Sequence, residues 1–469
     1  MANKAVTMDK LVALCKARGI IFPGSEIYGG MGNTWDYGPV GVEIKNNVKR
    51  AWWKRFVQES DNSYGVDAAI LMNARVWEAS GHTASFSDPK MDCKNCKSRH
   101  RADNLIEAHS KGKVNPDLMT NEEMEAYINE HHVCCPVCGK CDWTPIRTFN
   151  LMFETSRGVT DESQNKIYLR PETAQGEFVN FLNVQRTTRA KVPFGIAQIG
   201  KAFRNEIVAR QFIFRMREFE QMEMQFFVRP GTEMEWWNRW KETRMAWHRA
   251  LGFGDDNYRF HDHEKLAHYA NAATDIEYNF PFGFKEVEGI HSRTDFDLGN
   301  HQKFSGRKIQ YFDPETGESY VPYVVETSIG VDRMFLQVMS AAYTEETLDG
   351  GDSRVVLRLP AALAPVKVAV LPLVKKDGMP EVAQRIVDEL KYDYNVIYDE
   401  KDSVGKRYRR QDAIGTPFCV TVDGQTLEDG TVTVRHRDSM EQERVQIEAL
   451  PSLVEKECSY RRLFGKLNL

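Results

Sequence analysis

Lys201–Phe227, KAFRNEIVARQFIFRMREFEQMEMQFF, is the stretch that decides how this chain is read. Two strand-like ends flank a basic turn, so a β-hairpin is expected. Alternation along the first strand puts Arg204 and Glu206 on one face, and the hairpin brings Arg215 and Phe219 across from them. A polyphosphate nucleotide bound there needs guanidinium forks for its phosphate oxygens, a carboxylate to accept from an exocyclic amine and an aromatic ring under the base. All three are present. A lone Phe-Arg-x-Glu reads more simply as a hairpin with solvated charges, and it is the added Arg-x-x-x-Phe at Arg215 and Phe219 that favours a site.

Outward from the hairpin, strand-like runs recur in PIRTFNLMF, KIYLRPET, KIQYF and YVPYVVETSIGV. Most have no short helix between them, which predicts an antiparallel sheet. The Gly-rich Tyr28–Ile44 stretch leads into KNNVKRAWWKRFV, where Val48, Trp52, Trp53 and Phe56 recur at helical spacing. GTEMEWWNRWKETRMAWHRALG supplies a helix ended by Gly252, and KLAHYANAATDIEYNF a further one. Between Met91 and Trp143 two cysteine pairs flank a polar run with a capping pattern at Thr120–Glu123, as expected of an insertion. TEETLDGGDSRVVLRLPAALAP reads as a linker, and beyond it strand and helix alternate from VKVAVLPLV to PFCVTVD, followed by an expected hairpin in TLEDGTVTVRHR. The expected organisation is an α+β domain with an antiparallel sheet over 1–345, a Cys-rich insertion at 90–147, a linker at 346–364 and an α/β domain on a parallel sheet at 365–469.

The composition agrees. With 42% hydrophobic and 28% charged residues the chain has material for real cores, and disorder is excluded. A formal charge of -5 excludes binding nucleic acid by bulk electrostatics, so local Lys and Arg patches must do so if anything does. No window approaches ~18 apolar residues, and Asp9 and Lys10 stand where a signal peptide needs its apolar run, so a cytoplasmic chain is expected. Six of the nine cysteines fall between Cys93 and Cys141, which suits a metal better than a disulfide framework. Cys93-x-x-Cys96 with Cys135-x-x-Cys138 is the spacing of a closed tetrahedral, structural Zn²⁺ site of zinc-ribbon type, although Cys138-x-x-Cys141 is also a valid pair. No Gly-x4-Gly-Lys-Ser/Thr loop or Gly-x-Gly-x-x-Gly turn occurs, so P-loop and Rossmann nucleotide binding lose support. HEKLAH, with His263, Glu264 and His268, has one residue too many for a zinc-protease helix and reads as a helix start without metal.

Phe203, Arg204 and Glu206 with Arg215 and Phe219, and Gly330 and Arg333 in ETSIGVDRMFLQVM, resemble the second and third signatures of the class II aminoacyl-tRNA synthetases. The first signature, around Pro39, is weaker. WDYGPVGVEIKNNVKRAWW, RPETAQG, FRNEI, REFEQMEMQFF, GIHSRTDFDL and VVETSIGVDR make the finer resemblance to the homodimeric, glycine-specific branch of that class. The resemblance implies a homodimer that uses glycine, ATP with Mg²⁺, and tRNA(Gly). It assigns Arg204 to the α-phosphate, Glu206 to the adenine amine, Phe219 to stacking, and Arg215 and Arg333 to the γ-phosphate end. Asn205, Phe214, Arg217, Glu286, Val287 and Gly330 complete the ATP site, with Glu286 helping to carry Mg²⁺.

Glycine offers only an ammonium, a carboxylate and two α-hydrogens, so its selection must come from excluding larger side chains. The implied pocket comprises Arg101, Glu172, Phe219, Glu220, Gln221, Met222, Glu223, Arg293, Glu326, Ser328 and Gly330, with the acids on the ammonium and Arg101 and Arg293 on the carboxylate. Whether Glu220 or Glu223 touches the substrate is open. The C-terminal stretch resembles the anticodon-binding domain shared with the threonine, proline and histidine enzymes, with Lys406, Arg407, Arg409 and Arg410 placed to track phosphates or to form a solvated helix face. The alternatives are a non-catalytic nucleic-acid-binding module on the same scaffold and a sister synthetase of other specificity.

Overall fold

A computed structural model describes residues 6–157, 166–206, 211–264, 266–267, 269–348, 351–465 and 467. At its centre is a seven-stranded sheet. In chain order the strands are β1 (Ser63–Gly65), β2 (Phe194–Phe203), β3 (Glu218–Val228), β4 (Tyr258–Asp262), β5 (Ala272–Phe280), β6 (Gly283–Thr294) and β7 (Tyr323–Gly330). Across the sheet they lie β4-β5-β6-β7-β3-β2-β1, and every pair is antiparallel except β1 with β2. One expected helix is therefore a strand: from Ala272 onward the KLAHYANAATDIEYNF run buries Ile276, Tyr278 and Phe280 at every second residue, the period of a strand and not of a helix. Lys265 and His268 of that run lie outside the described residues.

Three helices cover the apolar face: α1 (Pro39–Trp53), α2 (Glu233–Ala250) and α3 (Val331–Ala342). α1 starts six residues before the expected KNNVKRAWWKRFV helix, because Pro39 at its first position has its φ preset, and it buries Ile44, Val48, Ala51 and Trp52. Gly41 is required by contact, since a Cβ there would lie 2.0 Å from the Ile20 carbonyl oxygen. Met222, Met224 and Phe226 of β3 pack into this core with Trp237, Trp240 and Trp247 of α2. Within it, fully buried Arg244 sits 3.6 Å from the Phe56 ring centre and 3.3 Å from Glu288, the pairing a buried cation needs. The opposite face of β3 carries Gln221, Glu223 and Gln225, all buried and polar. That face builds the site.

The stretch expected as a linker is folded. Tyr343–Thr347 and Ser353–Leu357 pair as a hairpin, and Leu357, Leu359 and Leu363 join the main core; the β-branched Val355 and Val356 suit a strand, and Arg354 is buried against Glu346 and Asp412. Beyond it come β8 (Val368–Pro372), α4 (Met379–Leu390), β9 (Val396–Tyr398), α5 (Val404–Ile414), β10 (Phe418–Val422), β11 (Thr431–His436) and β12 (Gln442–Gln446). The sheet order is β9-β8-β10-β11-β12, with the first three strands parallel and the last two antiparallel. The expected TLEDGTVTVRHR hairpin is displaced: its first residues form the short helix Gly424–Asp429, boxed by Asp423 and Thr426, and β11 pairs instead with β12. Phe464, near the C-terminus, returns to stack on Trp247 at 5.7 Å.

Candidate active site

The polar face of the sheet opens into a cavity of about 210 Å³. Its floor is built by register: Glu223, Ser328 and Gly289 stand side by side on β3, β7 and β6, and Gln225, Glu326 and His291 form the neighbouring row. Arg204, Glu206, Phe214, Arg215, Phe219, Glu286 and Arg333 line the other end. Arg204 and Glu206 follow the end of β2 instead of alternating within it. Arg204 is aimed by its backbone N–H, which donates to Arg217 O at 2.9 Å, and by its Nε, which donates to Pro171 O at 3.1 Å. Its guanidinium lies 5.3 Å from both the Phe86 and Phe219 rings. Arg333, in the first turn of α3, donates to Glu286 at 2.7 Å and covers the Phe214 ring at 4.4 Å, while Arg215 stands 3.8 Å from Glu206. Residues 207–210 of the connecting turn lie outside the described residues.

The other end is an acidic hollow. Glu223 is buried and accepts from Ser328 Oγ at 2.6 Å, from Gln221 Nε2 at 2.9 Å and from Thr173 Oγ1. Burial, reinforced by the charges of Glu326 and Glu172, pushes its carboxyl up to about 7. For the other two acids burial is outweighed: His82 at 3.4 Å and Arg293 hold Glu172 well below the usual range, and Arg293 and His291 hold Glu326 down at about 2. Arg293 bridges the site by donating to both oxygens of Glu326 at 3.1 Å and to both of Asp297, beneath the Tyr269 ring at 4.2 Å. Gln221 Oε1 is buried without a hydrogen-bond partner among the described residues. The hollow thus holds one ionisable acid near neutrality and one unused acceptor, a setting that suits a small ammonium.

Two family models match the sequence: the tRNA synthetase class II core domain (G, H, P, S and T) over residues 153–342 and the anticodon binding domain over 367–457. Glycine–tRNA ligase of Clostridium perfringens is 58% identical over 97% of this chain and 99% of its own length. The Geobacillus kaustophilus glycine–tRNA ligase is 57% identical over 97% of the chain and 100% of its own. The chain belongs to the glycine–tRNA ligase family. Among solved structures, a threonyl-tRNA synthetase RNA-binding-domain structure from Cryptosporidium parvum superposes with a TM-score of 0.64 at 15% identity, covering 95% of this chain and 98% of that one. A prolyl-tRNA synthetase from the same organism gives 0.59 at 14%, covering 99% and 78%. At such identities they speak for the fold alone: a class II core followed by an anticodon-binding domain.

Most of the residues read from sequence as glycine-tRNA-ligase site residues meet in the cavity, and several do not. Glu220 sits at the rim, ion-paired to Lys45 at 2.8 Å and Lys49 at 3.1 Å, so Glu223 is the acid that faces the hollow. Met222 and Val287 point into the core, fully buried on the opposite faces of their strands. Arg217 Nε donates to Glu206 O at 2.8 Å and the Asn205 backbone N–H donates to Leu151 O, and neither residue lines the cavity. Arg101 is held by Asp88 at 2.9 Å and by Asp103, outside the cavity lining. Sequence reasoning missed Thr173, Tyr269 and His291. His291 lies two residues from Gly289 and Arg293, and strand alternation could have found it; Tyr269 sits in irregular chain with no periodic signal.

In the insertion, Cys93, Cys96, Cys135 and Cys138 bring their sulfurs within 4.8 Å of one another. Cys134 and Cys141 are joined to each other, which removes the competing Cys138–Cys141 pair and adds one bridge where none was expected. Four thiols on two knuckle turns fit a closed zinc site. In α5, Arg407 is buried and donates to the carbonyls of Pro372 at 2.7 Å and Asp399 at 3.1 Å, so it cannot track phosphates. Arg410 is paired with Asp399 and Asp402 at 2.8 Å, Arg409 donates to Ser353 O, and Lys406 is exposed. No helix among the described residues is long and apolar enough to cross a membrane.

Proposed function

We propose that the chain is an ATP-dependent aminoacyl-tRNA ligase that activates glycine to glycyl-adenylate and transfers the glycyl group to the 3′-terminal ribose of tRNA(Gly). One observation carries the reading within its family: an acidic hollow, walled by Glu172, Glu223 and Glu326, opens directly onto an arginine-lined cavity. In the first step a glycine carboxylate oxygen attacks the α-phosphorus and pyrophosphate leaves; in the second a ribose hydroxyl attacks the activated carbonyl and AMP leaves. Charge develops on phosphate oxygens, so fixed guanidinium groups at Arg204, Arg215 and Arg333 lower the barrier and no protein nucleophile is needed. Glu206 would accept from the adenine amine and Phe219 stack beneath the ring. Glu286 would carry the magnesium that accompanies ATP and supplies further charge neutralisation. Glu223, ionised above about pH 7, would hold the glycine ammonium with Gln221. Arg293, its fork already on Asp297 and Glu326, would keep Glu326 ionised and add positive charge on the side of the glycine carboxylate.

The four clustered cysteines would hold a structural zinc that fixes the insertion. The working form would be a homodimer: Ile27 and Tyr28, 89% and 86% exposed on the loop before α1, are apolar groups suited to burial by a second copy. Cytoplasmic residence follows from the same reading. The deciding experiment is pyrophosphate exchange with each of the twenty amino acids. Exchange with glycine alone is expected. Exchange driven by alanine or serine would give the chain another specificity, and no exchange at all would make it an inert binding module.

A further inference from the structure

Beside the acidic hollow lies a second cluster that the reaction above does not use. His263 follows β4, Asp275 is on β5 and His291 on β6, and one ligand atom from each lies within 4.8 Å of the others. We propose that these residues bind a divalent first-row transition-metal ion, distinct from the cysteine site and from the magnesium of the nucleotide. Two imidazoles and one carboxylate are the donor set such ions prefer, and a hard Mg²⁺ or Ca²⁺ site would be built from oxygens.

Three observations support the site. The first is orientation: His291 Nδ1 is bonded to Glu326 at 3.0 Å, which leaves Nε2 as its ligating atom. A carboxylate on the far nitrogen of an imidazole is the arrangement that fixes ring angle and tautomer in metal-binding histidines. The second is space. A Cβ on Gly289 would stand 3.2 Å from His291 Nε2 and 3.7 Å from Asp275 Oδ1, filling the gap between the two ligands. Gly289 is not among the glycines of positive φ, so backbone conformation does not call for glycine there. The third is access. The three side chains are 32%, 15% and 19% exposed, and a cavity of about 300 Å³ borders His263 and His291, with room for water to complete the coordination. His263 Nε2 and Asp275 Oδ2 already stand 2.9 Å apart. An ion there would tie the segment after β4 to the sheet, and Tyr269, which covers Arg293, belongs to that segment.

The test is a Co²⁺ titration of the reduced, metal-stripped full-length protein, with Co²⁺ alone as the probe. Two components are expected in the wild type. One carries the sulfur-to-cobalt charge-transfer band of the cysteine cluster, and the other shows ligand-field absorption without it. His263→Ala should lose the second component and keep the first, which also reports that the chain is folded, and Asp275→Asn should weaken the second at least ~10-fold. Absence of a thiolate-free component in the wild type, or its persistence at full strength in both variants, would overturn the site.

Discussion

The arginines of the cavity and those of α5 read alike as phosphate ligands in the sequence, yet they are opposite objects. Arg407 is buried with both terminal nitrogens of its fork committed to the carbonyls of Pro372, Asp399 and Leu373, and Arg410 closes on Asp399 and Asp402. Arg204 gives one N–H to Pro171 O, and Arg215 reaches Glu206 only at 3.8 Å, with the rest of each fork facing a cavity. A guanidinium is available to a phosphate only when the fold has not already satisfied it. Arg204→Ala should therefore lower glycine-dependent pyrophosphate exchange by on the order of 10³-fold with an unchanged melting curve, since a transition-state donor is lost and no folded contact of weight goes with it. Arg407→Ala should do the reverse. It should destabilise the C-terminal domain by about 2–4 kcal/mol, because buried carbonyls lose a charged donor, and leave exchange near normal. If Arg407→Ala abolished exchange while the domain stayed folded, the contrast would fail.

The acids sharpen the same contrast, because Glu326 has its cations in place and Glu223 has only neutral donors. The sign of the linkage follows. Glu223 has a folded-state value near 7, above the unfolded 4.5, so between those values the folded chain holds a proton that the unfolded chain has released. Stability should then fall as pH rises through that window, and an ammonium bound to the ionised acid should restore it. Glycine should accordingly raise the melting temperature more at pH 8 than at pH 5.5, and kcat/KM for glycine should fall as pH drops below 7. Glu223→Gln should raise KM for glycine by on the order of 10²-fold, about 2–3 kcal/mol for a lost charged bond, and flatten the pH dependence. A variant with wild-type KM would remove Glu223 from the substrate.

Much of the fold was legible because its signals are local and periodic: the hairpin strands, the apolar spacing of Val48, Trp52 and Phe56 and the capping box at Thr120 each show within a short stretch, although that spacing places the Pro39 start of α1 six residues late. The errors share a cause. Ala272–Phe280, Tyr343–Thr347 and Ser353–Leu357 are strands only because a neighbouring strand is present to pair with, and nothing within each segment announces that partner. In the site, the conspicuous motif residues meet in the cavity, whereas Met222 and Val287 were carried in with their neighbours: alternation turns Met222 to the core, and the irregular register between Glu286 and Glu288 turns Val287 there too. Thr173 and Tyr269 could not be found at all, since their role is set by distances across the sheet and not by spacing along the chain.

The cysteine insertion falls between the two extremes. It lies outside the cavity, but its strand Arg99–Arg101 pairs with Ser87–Asp92, whose Asp88 holds Arg101 at 2.9 Å. Chelation or Cys135→Ser should loosen the insertion, seen as faster amide exchange over 93–138, and slow glycine exchange by roughly tenfold or less through misplacement. A complete loss would mean that the insertion supplies a group to the reaction.

The smallest effect is expected at Lys406. With Arg407 buried and Arg410 paired, it is the exposed cation of the α5 run, and its ammonium is available to a phosphate without breaking a structural contact. One phosphate contact weakens binding evenly across sequences and contributes about 1 to the slope of log K against log salt. Lys406→Ala should therefore raise KM for tRNA only two- to five-fold, roughly 0.5–1 kcal/mol, leave pyrophosphate exchange untouched and shallow the salt dependence by about one contact. If the salt slope stayed the same, this face of α5 would be merely solvated, and the tRNA path would have to be sought elsewhere on the C-terminal domain, though not at Arg444, whose fork is already held by Asp423 at 2.6 Å and by Thr431 and Thr433.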